Sequence, residues 1–205
     1  MDKLIIEFDK IVRNLFTKPI SIRKHPDAQI DDVKLSDAEK KHVIGLMRVN
    51  YCGEVCAQAL YQGHALTSRD QKHKEIFEEA ANEETEHLAW TRHRIEELGG
   101  KVSFFNPLFY AGSLAIAITA GIFGDKWNLG FLEETEHQVE KHLANHLDKL
   151  PKSDFKSHAI LSQMREDEIE HANKAHNQGA ANLPTPIKML MALSSKCMTK
   201  LTYYI

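Results

Sequence analysis

Glu84-Thr85-Glu86-His87 and Glu168-Ile169-Glu170-His171 are two Glu-x-x-His units in one chain of 205 residues, each inside a long Gly- and Pro-free stretch. Residues three apart share a helix face, so the carboxylate and imidazole of each unit converge on one point beside the helix. A four-helix bundle can hold two metal ions between two such helices and two others that each supply a glutamate.

Helical periodicity assigns the partners. On the first long block, Val43, Met47, Asn50, Glu54, Ala57 and Tyr61 recur at intervals of four and three, the line that faces a bundle core. Glu54 is the one charge on it. Equivalent stripes are Phe77, Ala80, Glu84, His87, Thr91, Ile95 and Leu98, and Leu161, Met164, Glu168, His171 and Ala175. A third Glu-x-x-His, Glu134 with His137, competes for the remaining helix. There the buried line is Leu132, Val139, Leu143, Leu147 and Leu150; Glu136 falls on it, whereas Glu134 lies about 200° away from it. Glu136 is therefore the predicted fourth carboxylate, and Glu134 and His137 are predicted to be solvated. Burying several carboxylates costs several kcal/mol or more unless positive charge compensates, and these seams contain no Lys or Arg. Two metal ions would supply it, and a donor set rich in oxygen favours iron or manganese over zinc or copper.

Punctuation by Pro and Gly predicts an all-α chain. A short amphipathic helix ends before a linker at 18–32 holding Pro19 and Pro26. Ser36, with Glu39 three residues on, caps a helix to about Leu66. Further helices run from about Asp70 to Leu98, stopped by Gly99-Gly100, from Lys126 to Leu150, and from a Ser153 or Asp154 cap to Gly179. Pro184 and Pro186 open the last. Residues 1–35 thus form an N-terminal helix and linker, and 36–205 the metal domain. Glu54 and Glu84 are 30 residues apart, Glu136 and Glu168 32. That similarity predicts two related helical hairpins joined by one crossover, a ferritin-like bundle with accessory terminal helices.

The crossover, 102–124, is uncharged and apolar. It reads as a buried helix, as a helix lying in a membrane interface, or as a span that Asn106-Pro107 and Gly112-Ser113 interrupt. The tail 184–205 sets Ile187, Leu190, Met191, Leu193, Met198 and Leu201 against Lys188, Lys196 and Lys200, a pattern shared by membrane-surface helices and ordinary packing helices. Lys and Arg number 26 against 29 Asp and Glu, which gives no basic field for nucleic acid. Three cysteines, Cys52, Cys56 and Cys197, cannot all pair and fit a reducing cytoplasm. The N-terminus lacks the pattern of a signal peptide.

The segment Leu46 to Gly63 (LMRVNYCGEVCAQALYQG) resembles the first ligand helix of the demethoxyubiquinone hydroxylase family. Glu83 to Leu88, Thr135-Glu136 with Gln138 to Leu143, and Asp167 to His171 resemble its remaining blocks in order, spacing and flanks, and the likeness extends from about Ser36 to the C-terminus. Tyr51 departs from the family, which usually has histidine there, outside the ligand set. The resemblance implies a di-iron site of Glu54, Glu84, His87, Glu136, Glu168 and His171, with Glu84 and Glu168 bridging. It implies an O2-dependent monooxygenase that hydroxylates the ring of a polyprenylated methoxy-methyl-benzoquinol in ubiquinone biosynthesis, peripheral on the cytoplasmic side of the inner membrane. No Gly-x-Gly-x-x-Gly turn binds a dinucleotide, so an external electron donor is expected. Whether the chain forms a homo-oligomer or joins a ubiquinone-biosynthesis complex stays open. The competing readings are a ferritin-like iron-oxidising or iron-storage protein and a membrane-associated scaffold with a vestigial site.

Overall fold

A computed structural model describes residues 2–205, the side chains of residues 2–4 excepted. Seven helices account for the regular structure, with no strand among the described residues: α1 (Asp2–Phe16), α2 (Asp37–Thr67), α3 (Gln71–Glu97), α4 (Asn106–Gly121), α5 (Asp125–Lys149), α6 (Phe155–Asn177) and α7 (Thr185–Thr202). The local chemistry explains their ends. Ser36 and Glu39 form the expected capping box, the Glu39 carboxylate accepting from the Ser36 N–H at 2.8 Å. Asp70 caps α3, and Asp154, rather than Ser153, caps α6 by accepting from the Ser157 N–H at 3.1 Å. Gly99, at φ 80°, stops α3.

α2 packs along α3 and α5 along α6, and the two hairpins assemble as a ferritin-like bundle. The apolar stripes make two cores. One joins Val43, Met47, Trp90, Ile95, Leu143, Leu161 and Met164; the other joins Ala57, Tyr61, Phe77, Leu129, Leu132 and Ala175. Along every one of the four helices, the predicted ligands fall between these two groups of residues. An apolar plug therefore closes the bundle above and below a single polar layer.

The crossover is one continuous helix, not an interrupted segment. Pro107 lies in the first turn of α4, where its missing N–H costs no helical hydrogen bond, and Gly112-Ser113 continue the helix without a break. α4 lies along α2, burying Tyr110, Ala117 and Gly121 while its other face stays exposed: Leu108 is 65% exposed and Phe104, before the helix, 84%. It is thus half-buried, between the buried and interfacial expectations. Among the described residues, no helix is long and apolar enough to cross a membrane.

Small residues permit this close crossing. A Cβ on Gly63 would sit 2.5 Å from the Ala117 Cβ and 3.2 Å from the Leu114 carbonyl oxygen. Gly63→Leu should therefore force α4 away at a cost of about 1–3 kcal/mol, a fall of several degrees in Tm. Gly112→Ala, whose Cβ meets nothing within 4 Å, should instead raise Tm slightly, because Gly is the poorer helix former by roughly 0.8–1 kcal/mol; thermal denaturation reads both.

Candidate metal centre

Six side chains from four helices meet in the polar layer: Glu54 of α2, Glu84 and His87 of α3, Glu136 of α5, and Glu168 and His171 of α6. None is more than 3% exposed. One donor atom each from Glu54, Glu84, His87 and Glu168 lies within 4.8 Å of the others, and the same holds for Glu84, Glu136, Glu168 and His171. The two groups overlap in Glu84 and Glu168, the residues expected to bridge.

The imidazoles orient themselves by what they touch on the outside. His87 Nε2 lies 3.0 Å from Asp167 Oδ2, and His171 Nε2 bonds to Glu83. A carboxylate only accepts, so each Nε2 carries the proton and each Nδ1 faces the carboxylate layer. His87 Nδ1 lies 2.7 Å from Glu84 Oε2 and 3.4 Å from Glu168 Oε1; His171 Nδ1 lies 3.3 Å from Glu84 Oε1 and 3.4 Å from Glu168 Oε2. Each Nδ1 lone pair thus confronts oxygen lone pairs. That contact is tolerable only with a second proton on each ring or a cation between the groups.

The electrostatics record the conflict. Burial pushes Glu54 and Glu136 well above the usual carboxylate range, and the neighbouring charges of Glu84 and Glu168 add to it. Burial would also lower His87 and raise Glu84, but their mutual attraction outweighs it and reverses both shifts. His171 is raised too, against burial, by the carboxylates of Glu168, Glu83 and Glu84 around it. Both Glu168 carboxylate oxygens and His171 Nδ1 are buried without a hydrogen-bond partner. Unpaired donors of this kind, oxygen-rich with two imidazoles, fit metal ions such as iron or manganese.

All six predicted residues come together. Glu134 and His137 stay out, but Glu134 is not simply solvated: its side chain is 14% exposed, accepting from Gln138 at 2.7 Å and pairing with Lys188 of α7 at 2.9 Å. α7 covers a face that the sequence stripe assigned to water. His137 is exposed as expected. Four participants were not singled out from sequence. Tyr61, read only as a seam residue, donates its hydroxyl to Glu136 and lies 3.4 Å from Glu84. Glu83 and Asp167 each precede a ligand glutamate, a repetition that could have flagged them. Burial pushes Asp167 up, but hydrogen bonds from His87 and Arg23 outweigh it and bring its pKa down to about 2. Arg23 comes from the linker and carries no sequence signal. A further cluster, Asp27, His93 and Glu97, lies elsewhere, and there Lys156 and Arg94 already pair with Glu97.

Two cavities approach the centre. The first, of about 210 Å³, has Glu54 in its wall and is otherwise lined mainly by apolar residues of α2, α4, α5 and α7, among them Leu60, Phe109, Ile116 and Met191. The second, of about 260 Å³, reaches His171 from the other side between Glu79, Glu83, Lys174 and Gln178.

The family model described as "Ubiquinone biosynthesis protein COQ7" matches residues 41–202. A 3-demethoxyubiquinol 3-hydroxylase of Laribacter hongkongensis is 60% identical over 205 residues, all of both chains. Proteins of the same name from Chromobacterium violaceum and Nitrosomonas europaea are 59% and 51% identical, over 99% and 100% of this chain and 98% and 99% of their own.

Raised folded-state pKa values make Glu54 and Glu136 stabilising only while protonated. That contribution is present below the unfolded value near 4.5 and is lost as pH rises. Metal-free Glu136→Gln protein should therefore have a higher Tm than metal-free wild type at pH 7, with the difference narrowing toward pH 4. Adding iron(II) without oxygen should raise the wild-type Tm and have little effect on the variant; scanning calorimetry reads both.

Proposed function

The chain belongs to the family of the ubiquinone biosynthesis protein COQ7, and on that premise we propose that it is a di-iron monooxygenase that hydroxylates the ring of a polyprenylated demethoxyubiquinol. The observation that carries the reading is the double cage of Glu54, Glu84, His87, Glu136, Glu168 and His171 with an apolar cavity ending on Glu54. These six residues would hold two iron ions, with Glu84 and Glu168 common to both sites, and the bound metal would supply the activation of dioxygen, the co-substrate. One oxygen atom enters a ring C–H bond and the other leaves as water. This balance needs two electrons and two protons, which an external donor supplies where the product remains a quinol and the quinol itself supplies where it leaves as a quinone.

The surrounding residues shape a place for the ring. Phe109, Ile116, Leu60 and Met191 offer a dry slot for a planar ring, which excludes bulk water from the reacting carbon. Asn50 also lines that slot, and its side-chain N–H2 is buried without a partner, a donor suited to a quinol oxygen. Tyr61 holds its hydroxyl on Glu136 and keeps that carboxylate turned inward. The wall of the slot includes Leu108, which is 65% exposed, so a prenyl chain can leave the protein beside α4.

A prenyl chain stays in lipid, so the enzyme meets its substrate at a membrane surface. α4, its C-cap Ile122 and α7 present Leu108, Ile122, Met189, Leu190 and Leu193 outward, flanked by exposed Lys196 and Lys200. This favours a peripheral protein on the cytoplasmic face of the inner membrane, whether alone, as a homo-oligomer or within a ubiquinone-biosynthesis complex. The same apolar faces and slot weigh against an iron-storage role, which needs a hydrophilic shell around a mineral.

Glu168→Ala should abolish formation of the hydroxylated quinol, read by mass spectrometry with reduced demethoxyubiquinol, O2 and a reductant; undiminished turnover would overturn the reading. Accumulation of many irons per chain from iron(II) and air would instead establish storage. Gly53 gives a sharper probe, because it lines the slot and a Cβ there meets nothing within 4 Å. Gly53→Leu should fill the slot and cut turnover while iron stoichiometry stays at two and helix stability rises, since Gly is the poorer helix former by roughly 0.8–1 kcal/mol.

A further inference from the structure

Three residues of the linker between α1 and α2 lie against the outside of the polar layer. The N–H groups of Ile22 and Arg23 donate to the Glu86 carboxylate at 3.0 and 3.2 Å, and the Ser21 hydroxyl donates to it as well. Trp90 Nε1–H donates to Ser21 Oγ at 3.2 Å. This docking sets the Arg23 guanidinium over the Trp90 ring, 4.9 Å from its centroid. From there Nη1 and Nη2 reach Asp167 at 2.8 and 3.4 Å, and Asp167 Oδ2 accepts from His87 Nε2 at 3.0 Å.

The other half of the centre lacks such a support. His171 Nε2 bonds to Glu83, but the cation behind that carboxylate is Lys174 at 3.7 Å, and Glu83 borders the polar cavity. The two hairpins are therefore braced alike at the imidazole and unlike one step further out.

We infer that Arg23 is a positioning residue for one metal site: it fixes Asp167, which keeps His87 Nε2 protonated and turned outward so that Nδ1 is presented to the ion. The inference rests on the di-iron reading above. The physical reason is orientational. An imidazole can rotate its ring and exchange its two nitrogens, and an outer carboxylate selects one arrangement only if it is itself held. Gln163 contributes one bond to Asp167 at 3.0 Å, whereas the planar guanidinium contributes charge, a fork and a ring to stack on.

The test uses full-length protein titrated anaerobically with iron(II), with ⁵⁷Fe Mössbauer spectra at each ratio. Wild type should take two irons. Arg23→Ala should keep one iron at wild-type affinity and weaken the other about tenfold, the order expected for an outer support. Arg23→Lys should recover part of the loss. Asp167→Asn should match or exceed it, and the Arg23→Ala/Asp167→Asn double variant should be no worse than Asp167→Asn alone, because both act through one ring. Glu83→Gln combined with Arg23→Ala should weaken both sites. Two irons at wild-type affinity in Arg23→Ala would overturn the role of Arg23 and leave the di-iron reading standing. Equal weakening of both irons, or additivity in the double variant, would reduce Arg23 to general structural support and equally overturn the inference. Fewer than two irons in wild type would remove the di-iron reading and this inference with it.

Discussion

Four glutamates, none more than 2% exposed, converge in one layer, and the rest of the molecule answers to the charge they carry. Even with His87 and His171 both protonated, Glu54, Glu84, Glu136 and Glu168 would leave an excess of negative charge at the centre of the bundle. The apolar cores above and below give that charge no solvent to polarise, so its energy is set by the groups in the layer itself. Without metal, protons relieve it, as the raised pKa values of Glu54 and Glu136 indicate. Cations that displace those protons would relieve it equally, so the layer has a standing affinity for them.

How much of this was legible follows from what periodicity encodes. A stripe reports which residues face the bundle axis, so Glu136 could be separated from Glu134, and all six residues of the layer were named correctly as neighbours. The same stripe is silent about accessory elements. It could not show that α7 would cover Glu134 with Lys188, nor that Arg94, 1% exposed, would be buried against Asp154 at the start of α6. Arg23 lay further out of reach, since it sits in an irregular linker 144 residues from Asp167 and belongs to no repeating pattern. For α4 the error was local. Pro107 and Gly112 were read as breaks, but a proline in the first turn and a glycine in a helix packed on a neighbour are both compatible with a continuous helix.

The two approaches to the layer differ in kind. On the α2, α4 and α5 side the wall is apolar and ends on Glu54; on the α3 and α6 side it is polar and ends on His171. A pair of hairpins built on similar spacing has thus been given unequal surroundings by what was added outside it. That inequality suits the proposed reaction, whose organic substrate is greasy while its protons and product water exchange with solvent.

α4 is also the sole covalent passage from the first hairpin to the second, and it forms a wall of the apolar slot. Its fit against α2 through Gly63, Ala117 and Gly121 leaves little slack on that side. The crossover therefore works as a tie-rod as well as a partition. Whatever wedges it outward, whether a bulky side chain or an over-large ring, strains the link that sets the two halves of the carboxylate layer at their mutual distance. On the α4 side of the slot, room for the substrate and registry of the metal donors are thus mechanically linked.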